Sequence, residues 1–183
     1  FQLPKYWTIS TNADNGIITG GGYYKENSIV TLQAIPDEHY HFVQWEDGDT
    51  NPIRQIIVSG DAEYTAIFAI DSFTVKTHGE HGTISGGGTY EWGTTITLKA
   101  IPDEHYHFVK WGDGNKNSTR QVIVSGDLDI TAIFEANEYT ITLVGVNGVV
   151  SGSGTYQYGT NVTISAIANE HYHFVNWNDG NKE

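Results

Sequence analysis

Three pairs of histidines, His39/His41, His105/His107 and His171/His173, stand at one constant interval along the chain. Residues two apart on a β-strand point to the same face, roughly 6.5–7 Å apart along it, so two imidazoles there could share a transition-metal ion. An acidic neighbour, Glu38 or Glu104, could add a ligand. Structural zinc asks for four ligands and only two recur, so the pairs read equally as a solvated strand face or as adventitious nickel or zinc ligands. Protonation at about pH 6 would lower the net negative charge and give self-association a mild pH response.

Acidic turns follow: Asp47-Gly48-Asp49-Thr50-Asn51, Asp113-Gly114-Asn115-Lys116-Asn117 and Asp179-Gly180-Asn181-Lys182-Glu183. Alternating oxygen side chains suit a hard cation such as calcium. The match to a calcium loop ends there, because Pro52 stands where the loop needs Gly and Val58 where it needs a bidentate Glu. Asp-Gly and Asn are also ordinary turn residues.

Trp45, Trp111 and Trp177 could be sugar-stacking platforms, but each follows a Tyr-x-Phe alternation and sits where a small module most needs bulk, which favours the core. Trp92 differs: it aligns with Glu26 and Tyr158, so its position tolerates charge and reads as exposed. With Tyr90 and Glu91 it forms an aromatic-acidic tip, and these three residues with Tyr158 are the ligand-contact candidates. No Gly-x-Ser-x-Gly elbow is present, and the Gly-rich triplets precede neither a helix nor a Lys-Ser/Thr pair, so no phosphate loop and no catalytic centre is expected.

The elements that position these residues repeat with them. His39–Trp45 returns as His105–Trp111 and His171–Trp177, and Gly20-Gly21-Gly22 returns as Gly86-Gly87-Gly88 and Gly152-Ser153-Gly154. A fixed period divides the chain into modules at 1–71, 72–137 and 138–183. The third lacks a counterpart of Arg120–Phe134, and the chain begins at Phe1, which reads as a fragment of something longer. With no cysteine, each module must hold together by its core alone, and the 5 Trp, 11 Tyr and 7 Phe suit that need. A net charge of −13, from 22 acidic and 9 basic residues, argues against nucleic acid as a partner. No stretch approaches the apolar length of a membrane span, which argues against direct membrane insertion.

Alternation replaces helical periodicity throughout, so the class is all-β, with about six short strands per module. Trp7–Thr11 reads as a first strand, Asn15-Gly16 as a hairpin turn, and Ile17–Thr19 as the returning strand, broken by a bulge or bend at the glycines. Ser28–Ala34 and the aromatic segment follow, and Arg54–Val58 with Glu63–Phe68 close the module as a hairpin about Ser59-Gly60-Asp61. Boundaries near Ala69–Ser72 and Glu135–Glu138 are too short to be flexible linkers and predict semi-rigid stacking. Loss of the closing hairpin in the third module is expected to expose a strand edge and part of the Trp177 core. The result would be disorder after about Asn178 or edge-strand self-association with a neighbouring molecule.

The second module carries the fullest motif: Gly82-Thr83-Ile84-Ser85-Gly86-Gly87-Gly88-Thr89-Tyr90, Thr97-Leu98-Lys99-Ala100, Tyr106-His107-Phe108-Val109-Lys110-Trp111 and Thr131-Ala132-Ile133-Phe134. This resembles the divergent internalin-B-type B repeat of long bacterial surface and secreted proteins. The likeness covers nearly everything after Lys5, with Ala168 departing from the expected Pro. It implies a small module, β-grasp-like in related repeats, with no shared catalytic residues and no cofactor. The expectation that follows is a non-catalytic stalk or adhesion segment of a larger exported protein, extracellular or at the bacterial cell surface. Its partners would be the rest of that protein and a host or extracellular glycan or protein. The alternatives are a carbohydrate-binding accessory array of a secreted enzyme and, on the His pairs alone, a metal-assembled surface array.

Overall fold

The computed structural model describes residues 3–182. The chain divides into two compact units, one formed by Phe1–Lys76, Gly87–Ile96 and Gln121–Leu128, the other by Thr77–Gly86, Thr97–Arg120 and Asp129–Glu183. The second repeat contributes to both.

The first repeat lies within the first unit. It consists of β1 (Tyr6–Ala13), β2 (Gly16–Thr19), β3 (Gly22–Lys25), β4 (Ile29–Pro36), β5 (Tyr40–Trp45), β6 (Ile53–Ile57) and β7 (Ala62–Ile70). These sort into a four-stranded sheet of order β3-β1-β7-β5 and a three-stranded sheet of order β2-β4-β6. Strand β1 runs antiparallel to β3 but parallel to β7, and β5 closes the sheet antiparallel to β7. The first and last strands of the repeat thus lie parallel at the centre of the sheet, as in a β-grasp, but no helix occurs among the described residues. A second sheet covers the first instead. Ile9, Trp45 and Ala66 from one sheet meet Val30, Leu32, Ala34 and Ile56 from the other in a single core, completed by Val58.

The two expected hairpins are crossings between sheets. After Asn15-Gly16 the chain leaves the larger sheet, so β2 pairs with β4 and not with β1. The glycine bend then brings it back, and β3 pairs with β1. The returning strand is therefore two strands, and the repeat has seven rather than about six. Likewise β6 and β7 belong to different sheets. The chain thus alternates between the two sheets, and both contribute to one core. The bend needs glycine at Gly20: its φ is 96°, and a Cβ there would lie 2.2 Å from the Thr31 carbonyl oxygen.

A β-bulge seats the tryptophan. Phe42 pairs with Phe68, Gln44 with Ile67 and Trp45 with Ala66, leaving Val43 as an extra residue. By strict alternation Trp45, three residues after Phe42, would face outward; the inserted residue turns it inward. Trp45 is 1% exposed, and its indole N–H donates to the Asn51 carbonyl at 2.8 Å.

The second repeat copies this with β8 (Ser72–His78), β9 (Gly82–Ser85), β10 (Gly88–Glu91), β11 (Thr95–Pro102), β12 (Tyr106–Trp111), β13 (Thr119–Ile123) and β14 (Leu128–Ala136). Strand β10 pairs with β8, β11 with β9 and β12 with β14, and the register of β12 shifts between Phe108 and Lys110 as in β5. Trp111 is 0% exposed. Both indoles are core, which leaves them no face to offer a sugar.

The third repeat has β15 (Glu138–Ile141) paired with β17 (Gly154–Gln157), and β16 (Gly148–Ser151) paired with β18 (Ser165–Ala168). The segment 172–177 forms no strand, and Trp177 is partly exposed. The turn after it is nonetheless built as in the complete repeats, with Trp177 N–H donating to Asn181 at 2.8 Å as Trp45 N–H does to Asp49. Glu183, the last residue of the expected calcium turn, lies outside the described residues.

Truncating a buried large aromatic costs about 3–5 kcal/mol. Trp111→Ala is therefore expected to shift the urea unfolding transition by that amount. Trp177→Ala should shift it by less than ~1 kcal/mol, because its site is already half open.

Candidate functional site

The first two histidine pairs lie at the joints between repeats. Asp37 to Tyr40 form a tight turn closed by the Tyr40 N–H on the Asp37 carbonyl at 3.1 Å, and His39 occupies its third position with φ 68°. His105 and His171 adopt the same left-handed conformation, at φ 69° and 66°. Strand β5 starts only at Tyr40, so His39 precedes the strand and does not share a face with His41. That removes the geometric premise for a shared metal in each pair. Among the described residues no three His, Cys, Asp or Glu side chains are grouped so as to hold an ion.

The two imidazoles go to different partners instead. In the first unit, the ring of His39 stacks on Trp92 with centroids 3.7 Å apart and planes 10° from parallel. The Nδ1 of His41 lies 2.9 Å from the Asp71 carboxylate. The backbone of Asp71 is held on both sides: its N–H donates to the His39 carbonyl at 2.8 Å, and its carbonyl accepts from Trp92 N–H at 2.8 Å. One linker residue is thus clamped between the end of one repeat and the start of the next.

The second unit repeats the joint with altered chemistry. Asn137 N–H donates to the His105 carbonyl at 2.7 Å, and Tyr158 N–H donates to the Asn137 carbonyl at 2.8 Å. His105 stacks on Tyr158 at 4.0 Å and 22°, with its Nδ1 3.0 Å from the Tyr139 hydroxyl. His107 Nδ1 lies 3.0 Å from the Asn137 side-chain oxygen. At the start of the first repeat the same backbone bond joins Glu26 N–H to the Lys5 carbonyl, but the residue presented is a carboxylate rather than a ring.

Of the ligand-contact candidates, Trp92 is 36% exposed with one face against His39, and Tyr158 is 47% exposed with one face against His105. Tyr90 is half-buried on β10 opposite Phe73, and Glu91 is exposed opposite Ser72. In the third repeat His171 and His173 are exposed. The residues missed from sequence are Asp71 and Asn137. They share the interval of the histidines and end the first two expected modules, which was the available signal.

The acidic turns brace the core. Asp49 N–H donates to the Asp47 carboxylate at 3.3 Å, Asn51 N–H to Asp49 at 2.9 Å and Ile53 N–H to the Asn51 side chain at 3.1 Å. The oxygens that a cation would need are taken up by the backbone. Arg54 grips Asp47 with two hydrogen bonds of 3.1 and 2.8 Å and lies over the Trp45 ring at 5.4 Å. Those bonds, followed by the Asp49 N–H, hold the Asp47 carboxyl below the usual range. For Asp113 the Asn115 N–H leads and Arg120 follows.

A carboxylate with a depressed folded pKa contributes stability above its unfolded value and loses it as pH falls through the folded one. Starting from the ordinary 3.8, that loss runs downward from about pH 4. Asp113→Asn, which keeps an acceptor for Asn115 N–H but loses the charge facing Arg120, is expected to flatten the acid side of a melting-temperature profile by lowering stability at neutral pH while leaving the most acidic values unchanged. At the joint, His39→Gly preserves the left-handed turn and removes the ring. Combined with Trp92→Ala in a double-mutant cycle, it is expected to reveal a coupling of about 0.5–1.5 kcal/mol by chemical denaturation.

Set against known protein families, the chain matches the model of the divergent InlB B-repeat domain three times, over residues 6–72, 73–138 and 139–183. No curated protein matches it.

Proposed function

The chain belongs to the divergent InlB B-repeat family, and from that premise we propose that it is a non-catalytic stalk or adhesion segment of a larger exported bacterial protein. The observation that carries this reading is the joint, built twice on the same plan. A histidine at the end of one repeat stacks on an aromatic ring of the next, around a linker residue bonded on both sides. Repeats joined in this way are held by contact as well as by the chain, which is what a spacer requires. An extracellular or cell-surface setting goes with the family.

The composition of the repeats supports the same role. Their largest side chains are spent inside, Trp45 and Trp111 both being buried, while the exposed surface is strongly acidic. Carbohydrate recognition by stacking asks for aromatic faces open to solvent. The aromatic rings at the joints, Trp92 and Tyr158, each have one face against a histidine, which favours the stalk over a glycan-binding array.

Two measurements test the reading. On glycan arrays the chain is expected to show no saturable binding; retention competed by a free sugar would replace this reading with carbohydrate recognition. In limited proteolysis, Trp92→Ala is expected to speed cleavage within Ala69–Ser72 while the repeat cores stay resistant.

A further inference from the structure

Tension along the chain enters the first repeat through β1 and leaves it through β7, the strands that begin and end it. The two are neighbours and run parallel, paired from Ile9↔Ala62 to Ala13↔Ala66. In a parallel pair the start of one strand and the end of the other lie at opposite ends of the ladder. A pull on both therefore drives the strands past each other lengthwise. The bonds between them are then loaded together and must break together. Strands pulled apart sideways give up the same bonds one after another, as a zipper does.

Neither strand can be peeled away from the point where load enters it. Both are interior strands of the order β3-β1-β7-β5. Strand β1 is paired with β3 from its first residue, Tyr6↔Lys25, and β7 with β5 to its last, Tyr40↔Ile70. One further backbone bond guards each entry. The Lys5 carbonyl accepts Glu26 N–H at 2.9 Å, and Asp71 N–H donates to the His39 carbonyl at 2.8 Å. A side chain also adds a rung to the parallel ladder. One step before Ile9↔Ala62 the register would match Thr8 with Asp61, and there the Asp61 carboxylate accepts Thr8 N–H at 2.7 Å. Asp61 is exposed and belongs to no core, so this bond serves the ladder and not the packing. The same bond recurs as Thr74 N–H to the Asp127 carboxylate at 2.8 Å.

We propose that β1 and β7 form a tensile clamp, and that the first repeat carries load between its two ends while folded. The role deepens the stalk reading and rests on it, because only a segment anchored at both ends is under tension. Forced unfolding is governed by the unfolding rate and not by equilibrium stability, so the direction in which bonds are loaded sets the resistance. A module of this size with no cysteine has only a modest core to rely on. Placing both of its ends on one lengthwise-loaded ladder supplies strength that the core alone does not.

The test pulls the intact chain by single-molecule force spectroscopy through introduced cysteines, the chain having none of its own. Lys5→Cys with Ser72→Cys loads the first repeat along the chain, and Ser10→Cys with Glu63→Cys, paired neighbours on β1 and β7, pulls the same strands apart sideways. All four side chains are exposed, so the core is untouched. Five paired positions share the load in the first direction and meet it in turn in the second, so the lengthwise rupture force is expected to be roughly two- to fivefold the higher. It should fall in one event that releases on the order of 200 Å of chain at ~3.5 Å per residue. Asp61→Ala should lower the lengthwise force and leave the sideways force unchanged. Equal forces in the two directions, gradual lengthening without a distinct event, or the same loss from Asp61→Ala in both directions would each overturn the clamp. Proteolysis within Ala69–Ser72 reports on the joint separately, so a weak repeat beside a resistant joint would leave the spacer standing and remove only its tensile role.

Discussion

Each complete repeat depends on one indole held between two thin sheets. With no cysteine and no helix among the described residues, neither sheet has any other cover, and the centre of the repeat must be filled by its largest side chain. Much of the remaining architecture serves that placement. The bulge at Val43 turns Trp45 inward, Ala66 leaves room opposite it, the turn carbonyl at Asn51 takes its N–H, and Arg54 lies over its ring while bound to Asp47. Arg120 takes the same position over Trp111, at 5.7 Å. A cation over an indole face and a satisfied N–H let a polar-tipped side chain sit in a core at little desolvation cost.

Much of this was legible in the sequence because it is periodic. The constant interval located the repeats, alternation located most strands, and the third glycine-rich triplet pointed to the same close approach as the first two. The tryptophans read as core by size alone. Sheet membership was not legible, because Asn15-Gly16 suits a hairpin and a crossing equally well; only the pairing of β2 with β4 distinguishes them. The histidine joint was hidden for a local reason. His39 and His41 are two apart, and the period-two rule puts them on one face only if both are extended. The left-handed turn at His39 breaks that rule one residue before the strand begins.

The two joints share geometry and differ in chemistry. In one, an imidazole faces the Asp71 carboxylate and its neighbour rests on an indole; in the other, the acceptor is Asn137 and the ring is the Tyr158 phenol. Tyr139 adds a hydroxyl contact to His105 that Phe73, at the matching position, lacks the oxygen to make. The backbone bonds around the linker residue are common to both. Main-chain geometry therefore fixes the joint, and side chains adjust its strength one junction at a time. Repeat arrays can vary mechanical character in this way without altering the fold.

The parallel pairing of β1 with β7 has a consequence in time as well as in space. The strand that begins a repeat finds its central partner only in the strand that ends it, so the entropic cost of closing a loop the length of the repeat falls due before the larger sheet can form. During synthesis at roughly 5–20 residues per second, every repeat passes seconds with its indole uncovered and its middle strand absent. An array assembled in this order completes one repeat after another from the N-terminus, and the most recently made repeat is always the one exposed to its neighbours.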